Sequence, residues 1–219
     1  MIEILVVLVS YFVGSIPMAY LLGRIFKRID IRDYGSGNVG ASNVWVHVNK
    51  WVVGPLIAFD IFVKGAFPVY VGTIMHFDLW ILVLIGLSSI VGHNWSIYLK
   101  FTGGRGNIVM LGVLFVLAWN ELLLLLGVGL CGWLIFRNTA LWVAISMSLL
   151  PVWATLFSGT IEVLALCLGI IFITALKRLI GNRSDNIGTI PFRKLILPRL
   201  LHDRDVYNRE EWINRIPGE

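Results

Sequence analysis

At 219 residues, 58% of them hydrophobic and only 14% charged, the chain departs from the soluble average of about half apolar and a quarter charged. Its apolar residues gather in runs long enough to cross a bilayer. The net charge of +5 raises nucleic acid as a partner. Against that, the basic residues stand at the ends of the apolar runs, the placement that orients a membrane protein. Composition therefore predicts an all-α integral membrane protein and argues against nucleic acid binding.

Seven spans are predicted, at about residues 2–26, 51–75, 79–98, 104–119, 121–136, 139–157 and 161–176. The first is too long for a signal-peptide core, carries Glu3 with no basic residue before it, and reads as a retained span. The fourth and fifth are short, and joining them through Asn120 and Glu121 into one long span is the alternative. Charge separates the two models. With seven spans and the N-terminus outside, 17 of the 18 Lys and Arg face the cytoplasm, and the remaining one, Lys64, lies inside a span. Merging would carry the basic tail outside, against the positive-inside rule. The expected division is a membrane domain over 1–180 and a cytoplasmic tail over 181–219. The tail mixes basic residues with "LILPRLL" (195–201), a composition suited to an interfacial segment. Trp45, Trp51, Trp80, Trp119 and Trp153 fall near predicted interfaces, the depth tryptophan prefers. Cys131 and Cys167 lie inside apolar runs; they read as small core residues, with no disulfide framework or metal spacing.

Between the first two spans stands "DYGSGNVGASNVW" (33–45). Gly35, Gly37 and Gly40 permit positive φ and close backbone approach, and successive N–H groups in such a loop form an anion-binding concavity. Ser36, Asn38, Ser42 and Asn43 add hydroxyl and amide donors. The same residues also make an ordinary tight turn, so phosphate loop and turn are both open here. On the same predicted face, "GHNWSIYLKFTGGRGN" (92–107) ends in Gly103, Gly104, Arg105 and Gly106 at the start of the fourth span. N–H groups at a helix start attract anions, and an arginine adds a planar bidentate donor. His93 reads either as a hydrogen-bonded structural residue or as a catalytic one. Asp60 and Lys64, four apart in "DIFVKG" (60–65), share a helix face; they form a mutual ion pair or belong to a site. Lys64 is roughly 20 Å along a helix from Trp51, so a functional Lys64 requires a recessed polar cavity or a later helix start. Two glycine-rich loops on one face, flanked by bilayer, suggest a phosphate-bearing substrate with lipid or acyl character. A transporter is disfavoured, because no repeat is apparent and both loops lie on one face.

These residues carry a resemblance. The stretch "GSIPMAYLLGRIFKRIDIRDYGSGNVGASNVW" (14–45), "KG" (64–65) and "GHNWSIYLKFTGGRG" (92–106) resemble, in order and spacing, the motifs of the bacterial acyl-phosphate:glycerol-3-phosphate acyltransferases, the PlsY family. "NRSDNI" (182–187) resembles that family's polar motif after the last span. The resemblance implies a seven-span N-out protein of the bacterial inner membrane with its site facing the cytoplasm. It implies acyl transfer from acyl phosphate to the 1-position of glycerol 3-phosphate, giving lysophosphatidic acid and phosphate for phospholipid synthesis, with no cofactor. It marks Ser36 and His93 as catalytic candidates. Gly35, Gly37, Asn38, Gly40, Asn43, Lys64, Gly103, Gly104, Arg105, Gly106 and Asn186 become the phosphate-binding candidates. Four positions depart from the family pattern. Arg105 stands for a lysine, Val46 for an arginine, Ser96 for a proline, and Arg183 for a histidine. A divergent homologue with another acyl substrate, and a non-catalytic binder of phospholipid precursors, are the competing readings.

Overall fold

The computed structural model describes residues 1–181, 192–205, 209–214 and 216. In chain order its α-helices are α1 (Ile2–Ser15), α2 (Met18–Lys27), α3 (Ala41–His47), α4 (Val53–Ala58), α5 (Phe67–Ile74), α6 (Leu79–Asn94), α7 (Asn107–Leu117), α8 (Trp119–Phe136), α9 (Thr139–Trp153), α10 (Ile161–Ile180), α11 (Phe192–Leu197) and α12 (Arg209–Ile213). A π-helical stretch, Phe59–Ala66, joins α4 to α5, and another, Ala154–Ser158, extends α9. The all-helical expectation is borne out.

Among the described residues, five apolar helical segments are long enough to cross a bilayer: Ile2–Lys27, Lys50–Ile74, Trp119–Phe136, Thr139–Ser158 and Ile161–Ile180. Leu79–Asn94 and Asn107–Leu117 are apolar but shorter. All lie where spans are expected. The third ends four residues earlier than expected and the fourth begins three later, because the polar stretch between them folds as loop. The joined fourth-and-fifth alternative does not form. Ala118, at φ −151 and ψ 62, breaks the helix between α7 and α8.

The first span is also interrupted. Pro17 has no N–H and pushes Ile16 out of the helical region, to ψ 116, so α1 stops at Ser15. The freed Ser15 carbonyl accepts from Ser96 Oγ at 2.6 Å. Ser96 thereby ties the loop after α6 to the break in the first span. At the far end of α6, the Asp78 side chain accepts from Trp80 N at 2.9 Å and caps the helix.

The core runs through the middle of the bundle, with Val113, Leu114, Leu150, Leu166 and Ile170 fully buried. Outward-facing side chains such as Leu8, Leu130, Ile135, Leu168 and Phe172 are large and apolar, as a lipid-facing belt requires. Cys167 is core, but Cys131 is exposed on α8, so only one of the two cysteines fits the expected core role. Lipid offers no hydrophobic drive between helices, so close packing must hold them. Gly65 and Gly112 meet where the π-helical stretch crosses α7. A Cβ on Gly65 would strike the Val109 carbonyl, and one on Gly112 would strike the Ile61 carbonyl. That crossing fixes the depth of Asp60 and Lys64. A second buried cluster, including Ile31, Val39, Val44, Leu56 and Leu99, seats the first polar loop on the bundle.

Candidate active site

The first loop is built by its own side chains. Asp30 accepts from Arg32 N at 3.0 Å, Nε at 2.9 Å and Nη2 at 2.6 Å, fixing a single 3-10 turn, Ile31–Asp33. The Arg32 guanidinium holds the Asp30 carboxyl below its ordinary value. Gly35 and Gly37 then sit at φ 52 and 67, the left-handed conformations glycine tolerates. Asn43, on α3, donates Nδ2 to the carbonyls of Ile31, Tyr34 and Asn38 at 3.0, 2.9 and 3.2 Å. Its amide donors therefore hold the loop together. Ser36 is buried beside it, and its Oγ accepts from Asn38 N at 3.2 Å. That contact leaves the hydroxyl hydrogen to donate.

The second loop doubles back on the end of α6. Gly104 N donates to His93 O at 3.1 Å, and a Cβ on Gly104 would strike His93 Nε2. Gly106, at φ 74, opens α7. Val39 N reaches Gly103 O at 3.4 Å, so the two glycine loops touch through their backbones.

Beneath them lies a buried polar group. Lys64 Nζ is 2.7 Å from Asp60 Oδ1 and 3.3 Å from His93 Nδ1, with both members of the ion pair almost fully buried. Ser89 Oγ donates to the Lys64 carbonyl at 2.6 Å, within the π-helical stretch. The mutual pair expected from the i,i+4 spacing is present. Lys64 also lies at the depth of His93, because the loops fold inward and make the recessed cavity that the spacing required. With Lys64 as an ammonium, which has only donors, His93 Nδ1 is assigned as the acceptor and the ring proton to Nε2.

A cavity of about 510 Å³ opens above this group. Ser36, Asn38, Gly40, Asn43, Arg105 and Gly106 line it from the two loops, with Asp60 and His93 at its floor. Lys64 stands behind Asp60, in a small adjoining recess that also touches Gly103. Gly35, Gly37 and Gly104 shape the loops without lining the cavity. Asn186 and Arg183 lie outside the described residues. Val46 is exposed, and His47 Nε2 meets Ile213 O at 2.7 Å, so neither enters the cavity.

Several lining residues escape a sequence reading. Arg137 and Asn138, in the α8–α9 turn, and Arg178, at the end of α10, join the wall. In sequence they register only as orienting charges or turn residues. His202, Asp203, Trp212 and Ile213 come from the tail, part of which folds against the bundle. Arg105 donates Nη1 to Lys177 O at 2.7 Å, and its Nε lies 2.8 Å from Asp203 Oδ1. Burial pushes the Asp203 carboxyl up, while Arg105 and Arg178 oppose that shift.

A family model described as glycerol-3-phosphate acyltransferase matches residues 4–190. The chain belongs to this acyltransferase family. Among its relatives is glycerol-3-phosphate acyltransferase 5 of Dehalococcoides mccartyi, 37% identical, with 97% of this chain and 93% of the relative aligned. Glycerol-3-phosphate acyltransferase 4 of D. mccartyi strain CBDB1 is 38% identical over 94% of this chain and 90% of its own length. The fold is shared with crystal structures of PlsY (YgiH), an integral membrane glycerol 3-phosphate acyltransferase. Its glycerol 3-phosphate form superposes with a TM-score of 0.75 at 26% identity, over 86% of this chain and 91% of that one. Its lysophosphatidic acid form gives 0.74 at 25% identity, over 93% and 98%. Membership of the acyltransferase family, expected from residues 14–45, 64–65 and 92–106, is thus borne out, and with it an integral membrane fold.

Proposed function

We propose that this acyltransferase moves an acyl group from acyl phosphate to the 1-hydroxyl of glycerol 3-phosphate, releasing lysophosphatidic acid and phosphate. The observation that carries this reading is the union of the two glycine loops, backbone to backbone, over one cavity walled by Arg105, Arg137 and Arg178. A reaction with two phosphate-bearing substrates needs such a concentration of donors and cations. Relatives of similar length are named glycerol-3-phosphate acyltransferase, and the PlsY structures are of its glycerol 3-phosphate and lysophosphatidic acid forms, which supports the acceptor and the product.

The residues take distinct roles. Ser36 donates its hydroxyl hydrogen to a substrate phosphate, and Asn38 lines the cavity beside it. Asn43, with its amide hydrogens on three carbonyls, positions the loop. Lys64 acts through His93: it fixes the Nε2–H tautomer, so the ring offers a donor to developing negative charge. Arg105 supplies a fork for phosphate. The hydroxyl oxygen of glycerol 3-phosphate attacks the acyl carbon, the bond from that carbon to the phosphate oxygen breaks, and the electron pair leaves with phosphate. The hydroxyl proton ends on a phosphate oxygen, which suits a site whose histidine is held as a donor.

The seven apolar helices cross the bacterial inner membrane, N-terminus outside, with the cavity at the cytoplasmic face. The distribution of Lys and Arg supports this, since 17 of the 18 fall in segments that such a topology places inside. A reporter fused after Glu219 reads cytoplasm in this topology, and a signal from outside would overturn it. The donor is tested with purified protein given labelled glycerol 3-phosphate and either acyl phosphate or acyl coenzyme A. Lysophosphatidic acid should form with acyl phosphate alone, with one phosphate released per product. Product from the thioester only would reject the donor assignment.

A further inference from the structure

The family match ends at residue 190, yet the wall of the cavity continues beyond it. The segment Pro198–Asp205 brings His202, Asp203 and Arg204 into that wall as a strap with its own fastenings. Arg199 is buried; its Nη1 donates to Leu179 O at 2.6 Å and its Nε meets Asp205 Oδ1 at 2.6 Å. Arg178 Nη1 donates to Leu200 O at 2.6 Å. A π-helical turn, Pro198–His202, closes with Asp203 in the left-handed conformation at φ 54, its N donating to Arg199 O at 3.1 Å. That turn aims the Asp203 carboxylate inward, 2.8 Å from Arg105 Nε. An oxyanion from the chain itself therefore stands against a guanidinium that the second glycine loop presents to the cavity.

We propose that Asp203 is an autoinhibitory residue. Its carboxylate occupies the anion position on Arg105, and a substrate phosphate reaches that guanidinium by displacing the strap. The proposal rests on the reading of Arg105 as a phosphate ligand. The physical reason is competition: the Asp203 carboxylate and a phosphate seek the same guanidinium charge. A phosphate dianion offers more charge and three acceptor oxygens, so it wins when bound and loses the site when it leaves. Intramolecular tethering gives the strap a high effective concentration, which raises the apparent dissociation constant of any phosphate ligand.

The test reads the strap directly. Hydrogen exchange of residues 198–205 is followed in the full chain in detergent, without ligand, with inorganic phosphate and with glycerol 3-phosphate. Exchange should rise with either phosphate compound. Asp203→Asn, which keeps the shape and removes the charge, should lower the KM of at least one phosphate substrate by about threefold or more, a modest share of the gain expected from freeing a charged donor. Asp205→Asn loosens the strap without touching Arg105 and should move KM in the same direction by less. Two results would overturn the proposal. One is increased protection of 198–205 on adding phosphate, which would make the strap a clamp that closes over substrate. The other is a raised KM in folded Asp203→Asn, which would make Asp203 a support for Arg105. The exchange arm needs no turnover, so a chain that releases its strap to phosphate but forms no lysophosphatidic acid would sink the reaction and leave the strap standing.

Discussion

Asp60→Ala is the most informative single perturbation of the buried group. Asp60 and Lys64 side chains are 2% and 3% exposed and 2.7 Å apart, so solvent screens the pair very little. Removing the carboxylate leaves an ammonium whose remaining neighbours among the described residues include His93 Nδ1 at 3.3 Å and the Phe59 ring at 5.8 Å. An uncompensated buried charge of this kind costs about 3–5 kcal/mol. The chain then either loses that stability or deprotonates Lys64, and a neutral amine no longer forces the His93 proton onto Nε2. Asp60→Ala should therefore lower both stability and turnover. The double variant Asp60→Ala, Lys64→Met removes both charges and should recover most of the lost stability, because burying two apolar side chains incurs no desolvation cost. Turnover should stay low in the double variant, since the donor to His93 is gone. The assay is unfolding in mixed micelles followed by tryptophan fluorescence, read beside acyl transfer. A single variant destabilised by less than about 1 kcal/mol, or a double variant as unstable as the single, would refute the reasoning.

Other perturbations follow from the same geometry. Ser36→Ala removes the donor but not the turn, so turnover should fall by about 10²-fold or more while the melting temperature moves by only a few degrees. Arg105→Lys keeps a charge but cannot reach both Lys177 O and Asp203; partial activity with a raised KM is expected, and full activity would show that the fork is dispensable. Gly104→Ala places a methyl group against His93 Nε2 and should impair turnover, whereas wild-type rates would move His93 away from the reacting atoms. The Asp30 carboxyl is held low by Arg32, so the stability it contributes is present above the ordinary carboxylate value and is lost as pH falls through its lowered one. Between about pH 6 and about pH 3 the melting temperature should drop further in wild type than in Asp30→Asn.

Much of the bundle was legible in the sequence because lipid imposes a simple rule: long apolar runs, with cations at their ends. The break at Pro17 and the split at Ala118 fell inside runs that hydropathy alone treats as uniform. The glycine loops were legible as a pair, since residue types suited to phosphate recurred on one predicted face. Their division of labour was not. Asn43 and Ser36 look alike as donors in sequence, but three carbonyls take the amide of one while the hydroxyl of the other accepts from Asn38 N and keeps its hydrogen to donate. For Lys64 the spacing from Trp51 set a condition, a recessed polar cavity or a later helix start, and the recess beside Asp60 and His93 meets it. Counting from Trp51 assumes a straight helix below a flat surface, and the inward fold of the loops removes that surface. Arg137, Arg178 and Asp203 were invisible as site residues because their sequence neighbours carry no motif; only the packing of three distant helix ends brings them together.

The central claim is that the cavity under the two glycine loops is where acyl transfer happens. It is tested most directly by measuring lysophosphatidic acid from acyl phosphate and labelled glycerol 3-phosphate with wild type, Ser36→Ala and Val46→Ala side by side. Ser36 lines the cavity and Val46 is exposed outside it. Product from wild type and Val46→Ala, with almost none from folded Ser36→Ala, is the predicted result. Equal product from all three would place the chemistry elsewhere and contradict the account.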